Sequence, residues 1–356
     1  MNGIQRFKAL SQKEPLDKIP VRVGNYNIFL TYYYDITIQE YLDDPKANAE
    51  AFVQMVKDFD FDSIKAGLGY IFYGCGPETG LAWDFPESNY PACTKGIVKD
   101  KSDISKIIIP QEPQGYFEKF LEINRKVKEE VGESTHLGIS VLGPFSVMAF
   151  FRGFENILLD MITDKELFQD LMDKGAEYAL FLGRECLGLE LPWANLMEIF
   201  LVPGVVNPVH YHQLIAPYDD KVSRELASPP LSNYLSMFMG RPDDPQSWKE
   251  GKLISDFYFG ACKRVDEIRN VYEHATYGVP CQISISGNDL VHSPTDQIID
   301  FLLDGLDYFF IERHERPFIY LPSIQAENRP QSQLVAEKLK RINDTLRAYQ
   351  GEIPGK

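Results

Sequence analysis

Cysteine is scarce in this chain: Cys75, Cys93, Cys186, Cys262 and Cys281 are the only five in 356 residues. An odd number at wide spacing argues against a disulfide framework and fits reduced thiols. Neither a CxxC nor a His-x-Cys pair occurs, so no preassembled thiolate zinc site is legible. Long apolar runs are missing as well. None reaches the roughly 18 residues needed to span a bilayer, and the opening MNGIQRFKAL lacks the apolar core of a signal peptide. Basic runs are also absent, and 36 Lys and Arg against 52 Asp and Glu leave a formal net charge of -16. Without a basic face there is no counterion release to drive binding to nucleic acid or to an anionic membrane. These absences lead us to expect a cytoplasmic protein with no nucleic-acid or membrane partner. Internal repeats and low-complexity tracts are missing too.

What the chain does have is apolar material, 44% hydrophobic and 13% aromatic residues, enough for a large core with aromatics left over for a ligand pocket. Strand-like and helix-like patterns alternate along it. Asp44-Pro45 opens a helix on which Ala49, Phe52, Val53, Val56 and Phe59 recur at helical spacing. Thr163 with Glu166 reads as a capping box for a helix carrying Leu167, Leu171 and Ala176. Ser293-Pro294 opens another helix, expected to close at Gly305.

Eight β-rich runs stand in order: IPVRVG, DSIKAGLG, HLGISVLG, NLMEIFL, LSNYLSMF, LISDFYFG, CQISISG and DYFFIER. Together with the intervening helices they predict an α/β fold, a single-domain (β/α)8 TIM barrel over residues 1–356, with an N-terminal helical extension. Segment 70–95, rich in Gly, Pro and aromatics, is a long loop after the second strand and has the length of a lid or binding loop. In such a barrel the chemistry lies at the carboxyl ends of the strands. The pattern places Tyr26, Phe145, Glu198, Asp256, Tyr258, Asn288, Glu312 and His314 there.

The segment SVLGPFSVMAFFRGFENILLDM, residues 140–161, resembles the Gly-Pro-Phe/Trp-Thr segment of the uroporphyrinogen decarboxylase superfamily. RFKALSQKEPLDKIPV resembles that superfamily's opening helix and first strand, and Asn207-Pro208 to Pro217-Tyr218 its helix after the fourth strand. SGNDL at 286–290 and PSIQAEN at 322–328 resemble its later turn and the approach to its last helix. The superfamily holds both decarboxylases and corrinoid-dependent methyltransferases. The decarboxylase pattern has an MRQAGR-like segment after strand one; here that place reads VGNYNIFLTYY, without arginine. The decarboxylase's strand-two aspartate has no match in KAGLGYIF, and Phe150 stands at its pocket tyrosine. A tetra-acid substrate needs several cationic contacts, and the pocket is expected to be aromatic and weakly charged instead.

The coenzyme M branch binds zinc through His-x-Cys after strand five and a Cys after strand eight. The corresponding places here read Met237-Phe238-Met239 and Arg313-His314-Glu315. What remains resembles the substrate-side methyltransferases of corrinoid systems, including methoxyarene O-demethylases. The resemblance therefore implies O-demethylation of a small methylated compound, a methoxylated aromatic before others, with transfer of the methyl group to the corrinoid (cobalamin) of a partner protein. The alternatives are a decarboxylase of a tetrapyrrole or other carboxylated substrate and a non-catalytic ligand-binding barrel.

An aryl methyl ether has a poor leaving group until its oxygen is protonated or bound to a Lewis acid. Glu198, Asp256 and His314 are the candidate catalytic residues, and as carboxylates plus imidazole the same three could hold zinc. Tyr26, Asn27, Phe145, Phe150, Tyr258 and Asn288 are the candidate substrate contacts. Plainer readings stand beside these: Glu198 caps the helix beginning near Asn207 or pairs with an arginine, Asp256 is a strand-end carboxylate, and His314 joins an ion pair with its neighbours. His210 and His212 on a helix point to different sides, which argues against joint metal binding. A homodimer is the default assembly for a soluble enzyme.

Overall fold

A computed structural model describes residues 1–24, 27–66, 69–86, 89–201, 206, 208–226, 231–234, 264–274, 282–321, 324 and 326–349. Its main sheet has seven parallel strands: β1 (Val21–Val23), β2 (Ser63–Lys65), β5 (His136–Leu142), β6 (Trp193–Met197), β7 (Leu231–Tyr234), β8 (Gln282–Ser284) and β9 (Phe318–Leu321). They are ordered β7-β6-β5-β2-β1-β9-β8. This is the cyclic order of a (β/α)8 barrel, in which the first strand pairs with the last: Val21 lies opposite Ile319 and Val23 opposite Leu321. The predicted strand LISDFYFG lies outside the described residues. A two-stranded antiparallel hairpin, β3 (Ala82–Asp84) and β4 (Ala92–Lys95), is built into the long connection after β2.

Alternation along the strands sorts the side chains. Val21, Val23, Ile64, Ile139, Val141, Ala194, Leu196, Ile283, Ile319 and Leu321 are buried and apolar, the set that meets the surrounding helices. The opposite parity holds Arg22, Ser63, Lys65, Ser140, Trp193, Asn195, Gln282 and Ser284. Bulky branched residues usually fill a barrel; here the inward parity mixes these polar side chains with aromatic Phe318 and Tyr320 and with Leu142 and Met197.

The N-terminal helix α1 (Gly3–Ser11) closes the amino end of the barrel. Phe7 stacks on His136 at 4.7 Å and meets Phe318 edge-on at 5.6 Å. The Arg22 guanidinium lies 4.5 Å from the Phe7 ring, 4.6 Å from Trp193 and 5.0 Å from Phe318. Gly138 makes room for this layer, because a Cβ there would fall 1.9 Å from the Trp193 ring. Arg22 Nε also donates to Ser63 Oγ at 3.3 Å.

Helix α4 (Pro45–Phe59) starts as the sequence predicts, with the Asp44 carboxylate accepting from the backbone of Lys46 and Ala47. Three expectations are corrected. The helix Lys165–Leu187 is capped by Asp164, whose side chain accepts from Leu167 N, while Thr163 ends the preceding helix and bonds back to Leu159 O. The helix Thr295–Asp307 does not stop at Gly305, whose missing Cβ lets Ile283 of β8 approach; it runs on through a π turn, Tyr308–Arg313. DYFFIER is therefore helical, and the last strand is Phe318–Leu321.

Candidate active site

The loops at the carboxyl ends of the strands bring together α6 (Pro144–Arg152), Glu198 just after β6, and a helix that runs from Pro208 through a π turn, Tyr211–Ile215, to Glu225. Gly143-Pro144 forces the chain from β5 into α6 and leaves the first N–H groups of that helix without backbone acceptors. Glu198, fully buried, fills that place. Its carboxylate accepts from Phe145 N at 3.0 Å, Ser146 N at 2.7 Å and Ser146 Oγ at 2.5 Å. Gly143 is required here because a Cβ would lie 2.2 Å from Glu198 Oε1. Glu198 thus caps α6, not the helix near Asn207.

Asp219 adds a second buried carboxyl. Tyr211 Oη donates to Asp219 Oδ2 at 3.2 Å, and Oδ1 meets no donor. An oxygen in that position is satisfied if it carries the proton and donates to Glu198. Burial pushes Asp219 well above the usual carboxyl range, and the negative charge of Glu198 pushes it further. Burial raises Glu198 too, while Ser146, Asp219 and the α6 backbone oppose the rise. Of the two carboxyls, Asp219 is the one driven further toward its protonated form, while Glu198 is held by the donors of Phe145 and Ser146.

Other predicted site residues fall in three groups. Phe145 is fully buried in α6, and Phe150 stacks on Trp83 of the hairpin at 5.9 Å and meets Phe200 edge-on at 5.1 Å. These aromatics join three loops at the carboxyl face. Asn288 is exposed on the short helix Gly287–His292 after β8, and Asn27 begins the helix after β1. Tyr26, Asp256 and Tyr258 lie outside the described residues.

His314 is a correction. It precedes β9, so it lies at the amino end of the barrel, opposite Glu198; it is exposed and has a left-handed backbone, φ 55°. Glu312 is bound to Arg269, which holds its carboxylate below the ordinary range, and Arg313 pairs with Glu315. Glu198 and His314 therefore cannot share a zinc ion. Among the described residues no three His, Cys, Asp or Glu side chains converge as a metal site.

The predicted lid is anchored. Cys75 is fully buried, Trp83 Nε1 donates to its carbonyl at 3.0 Å, and Tyr178 Oη donates to Gly74 O at 2.8 Å. Burial raises the Cys75 thiol well above its ordinary value, which leaves no thiolate nucleophile.

The expected weakly charged pocket is also corrected, by a buried lysine. Lys65 Nζ donates to Ser140 Oγ at 2.8 Å, and Ser140 Oγ donates to Asn195 Oδ1 at 2.8 Å. Burial, and secondarily the charge of Arg22, lower Lys65 to about 7. Lys65 in DSIKA, Ser140 in GIS and Asn195 in WANLM share one parity with apolar neighbours, a pattern that marks an inward polar row. Asp219 carried no such signal, because it meets Glu198 only through the fold.

The sequence profile of the uroporphyrinogen decarboxylase (URO-D) family matches residues 2–238. Among solved structures the chain is similar to a methyltransferase from Methanosarcina mazei, at 15% identity and a TM-score of 0.73, covering 97% of this chain and 98% of that one. It also resembles a protein provisionally assigned as a vitamin-B12 independent methionine synthase from Listeria monocytogenes, at 12% identity and a TM-score of 0.53, covering 95% and 99%. No curated protein sequence matches. With the profile extending over about two thirds of its length, the chain belongs to the uroporphyrinogen decarboxylase family.

Proposed function

We propose that this protein is a methyltransferase that removes the methyl group of a small methylated compound, a methoxylated aromatic in the simplest case, and passes it to the corrinoid of a partner protein. The observation that carries the reading is the supply of cations in the barrel. Among the described inward-facing strand residues, Arg22 is held between aromatic rings at the closed end, which leaves Lys65 as the cation on the open side. One lysine does not match the four carboxylates of a porphyrinogen. It does suit a small substrate. The likeness in fold to the Methanosarcina methyltransferase along nearly the full length of both chains supports the same reading.

In such a transfer the carbon–oxygen bond of the donor breaks, the oxygen keeps the bonding pair and takes up a proton, and the methyl carbon bonds to cobalt. The corrinoid supplies the Co(I) nucleophile. The protein's part is to hold the donor with its methyl group toward the carboxyl face, where a corrinoid domain can approach, and to exclude water. The aromatic group Trp83, Phe150 and Phe200 offers a wall for that purpose.

The test mixes the protein with a reduced corrinoid protein and a panel of methoxybenzenes and methylamines, following corrinoid methylation by absorbance. Methylation with at least one donor is expected. Failure with every donor, together with turnover of uroporphyrinogen in a parallel assay, would replace this reading with the decarboxylase.

A further inference from the structure

Beyond Arg22 toward the carboxyl ends of the strands, Lys65, Ser140 and Asn195 face inward and are buried, while Tyr320 and Ser284 face inward in register with Arg22. The hydrogen bonds run in one direction, from Lys65 Nζ to Ser140 Oγ to Asn195 Oδ1. That direction fixes the Asn195 amide. Its Nδ2 remains as a donor, and it is buried without a hydrogen-bond partner. A buried donor left unmade is costly, so such groups in native proteins are met by water or a ligand. Ser140, which touches Asn195, is small where barrels usually place a branched side chain, so it takes up little of the interior beside the amide. The position also holds positive charge, since Arg22 and Lys65 are near enough for one to depress the ionisation of the other.

We propose that Lys65 and Asn195 form the floor of a binding site inside the barrel that takes the carboxylate of a small organic acid. The ammonium supplies the charge and Asn195 Nδ2 the hydrogen bond. An anion there relieves the repulsion between Arg22 and Lys65 and satisfies the orphaned donor together. Ser140 lies two residues before Leu142, the end of β5, so the floor is about 7 Å below the strand ends at roughly 3.3 Å per residue. An aromatic ring spans that depth and presents its far side to the mouth. The inference deepens the methyl-transfer reading by assigning the anchored end of the donor, and it rests on that reading only for the methyl group.

Calorimetric titration with benzoate and with benzyl alcohol tests the site without any reaction. The wild-type protein is expected to bind benzoate at least about tenfold more tightly, the worth of one charge-assisted hydrogen bond. Asn195→Leu should weaken benzoate about tenfold and Lys65→Met by more, with benzyl alcohol unchanged in both; thermal melting confirms that each variant is folded. If Lys65→Met does not fold, the wild-type preference and Asn195→Leu still decide. No preference for benzoate, a preference that survives both substitutions, or a crystal structure with only an ordered water on Asn195 Nδ2 after a benzoate soak would overturn the proposal. Benzoate binding without methyl transfer from any donor would keep this site and remove the methyl-transfer reading. Methyl transfer from neutral donors without benzoate binding would do the reverse.

Discussion

Substitution separates the roles of Glu198, which accepts from the end of α6, and Asp219, the carboxyl driven further toward its protonated form. Glu198→Gln turns an amide toward the N–H groups of Phe145 and Ser146, placing donor against donor. A loss of about 2–4 kcal/mol in urea unfolding is expected. Asp219→Asn keeps a donor toward Glu198 and an acceptor for Tyr211, and should cost about 1 kcal/mol or less. Gly143→Ala is excluded by space and not by backbone strain, since φ there is -75°. Its Cβ would drive Glu198 off the helix end, with an expected loss of at least about 2 kcal/mol. His136 gives a pH signature. Burial, and then the charge of Arg22, lower it from 6.5 to about 3. The unfolded chain therefore takes up a proton below pH 6.5 that the native state refuses, so stability is complete above that pH and falls toward pH 3. The slope contributed is at most about 1.4 kcal/mol per pH unit. Equilibrium unfolding of His136→Phe between pH 7 and 4 should show a flatter profile than the wild type.

At the scale of elements, the connection 70–95 is a built-in part of the barrel wall. Gly74 has φ +83°, and a Cβ there would meet Leu182 at 2.3 Å. Gly74→Ala should cost about 2–3 kcal/mol in thermal or urea unfolding; a substitution without effect would return the segment to the status of a mobile lid. Sequence pattern found this segment as a long insertion but not its anchoring, because the bond from Tyr178 to Gly74 joins residues about a hundred positions apart. The same limit explains the last strand. DYFFIER carries the aromatic and β-branched residues of a strand, yet the helix before it continues because Gly305 fits against Ile283 of β8. FIYL, only four residues long, gave too short a pattern to compete. That single shift moved His314 and Glu312 from the mouth of the barrel to its closed end. The Gly-Pro corner and Glu198 were legible because they adjoin strand ends, where a barrel places its loops.

At the scale of the whole molecule, the outer faces of the strands pack on helices while the inner faces mix polar and aromatic side chains, so the core is a shell around a partly polar interior. Cooperative stability then depends on closing the ring. Amide hydrogen exchange should show the N–H groups of β1 and β9 exchanging together, through opening of the whole barrel; independent fast exchange of β9 would contradict this.

The pairing of Val21 with Ile319 joins residues about 300 positions apart. During synthesis, β1 must therefore wait, with one edge unpaired, until Ile319 and its neighbours have left the ribosome. An unpaired parallel edge is a template for another chain. The helix α1, seated against Phe318 in the finished protein, has no such partner in the nascent one. The time its first strand spends exposed is accordingly a hazard that final stability does not remove, and slower elongation between β8 and β9 should increase aggregation more than the same delay placed before β1.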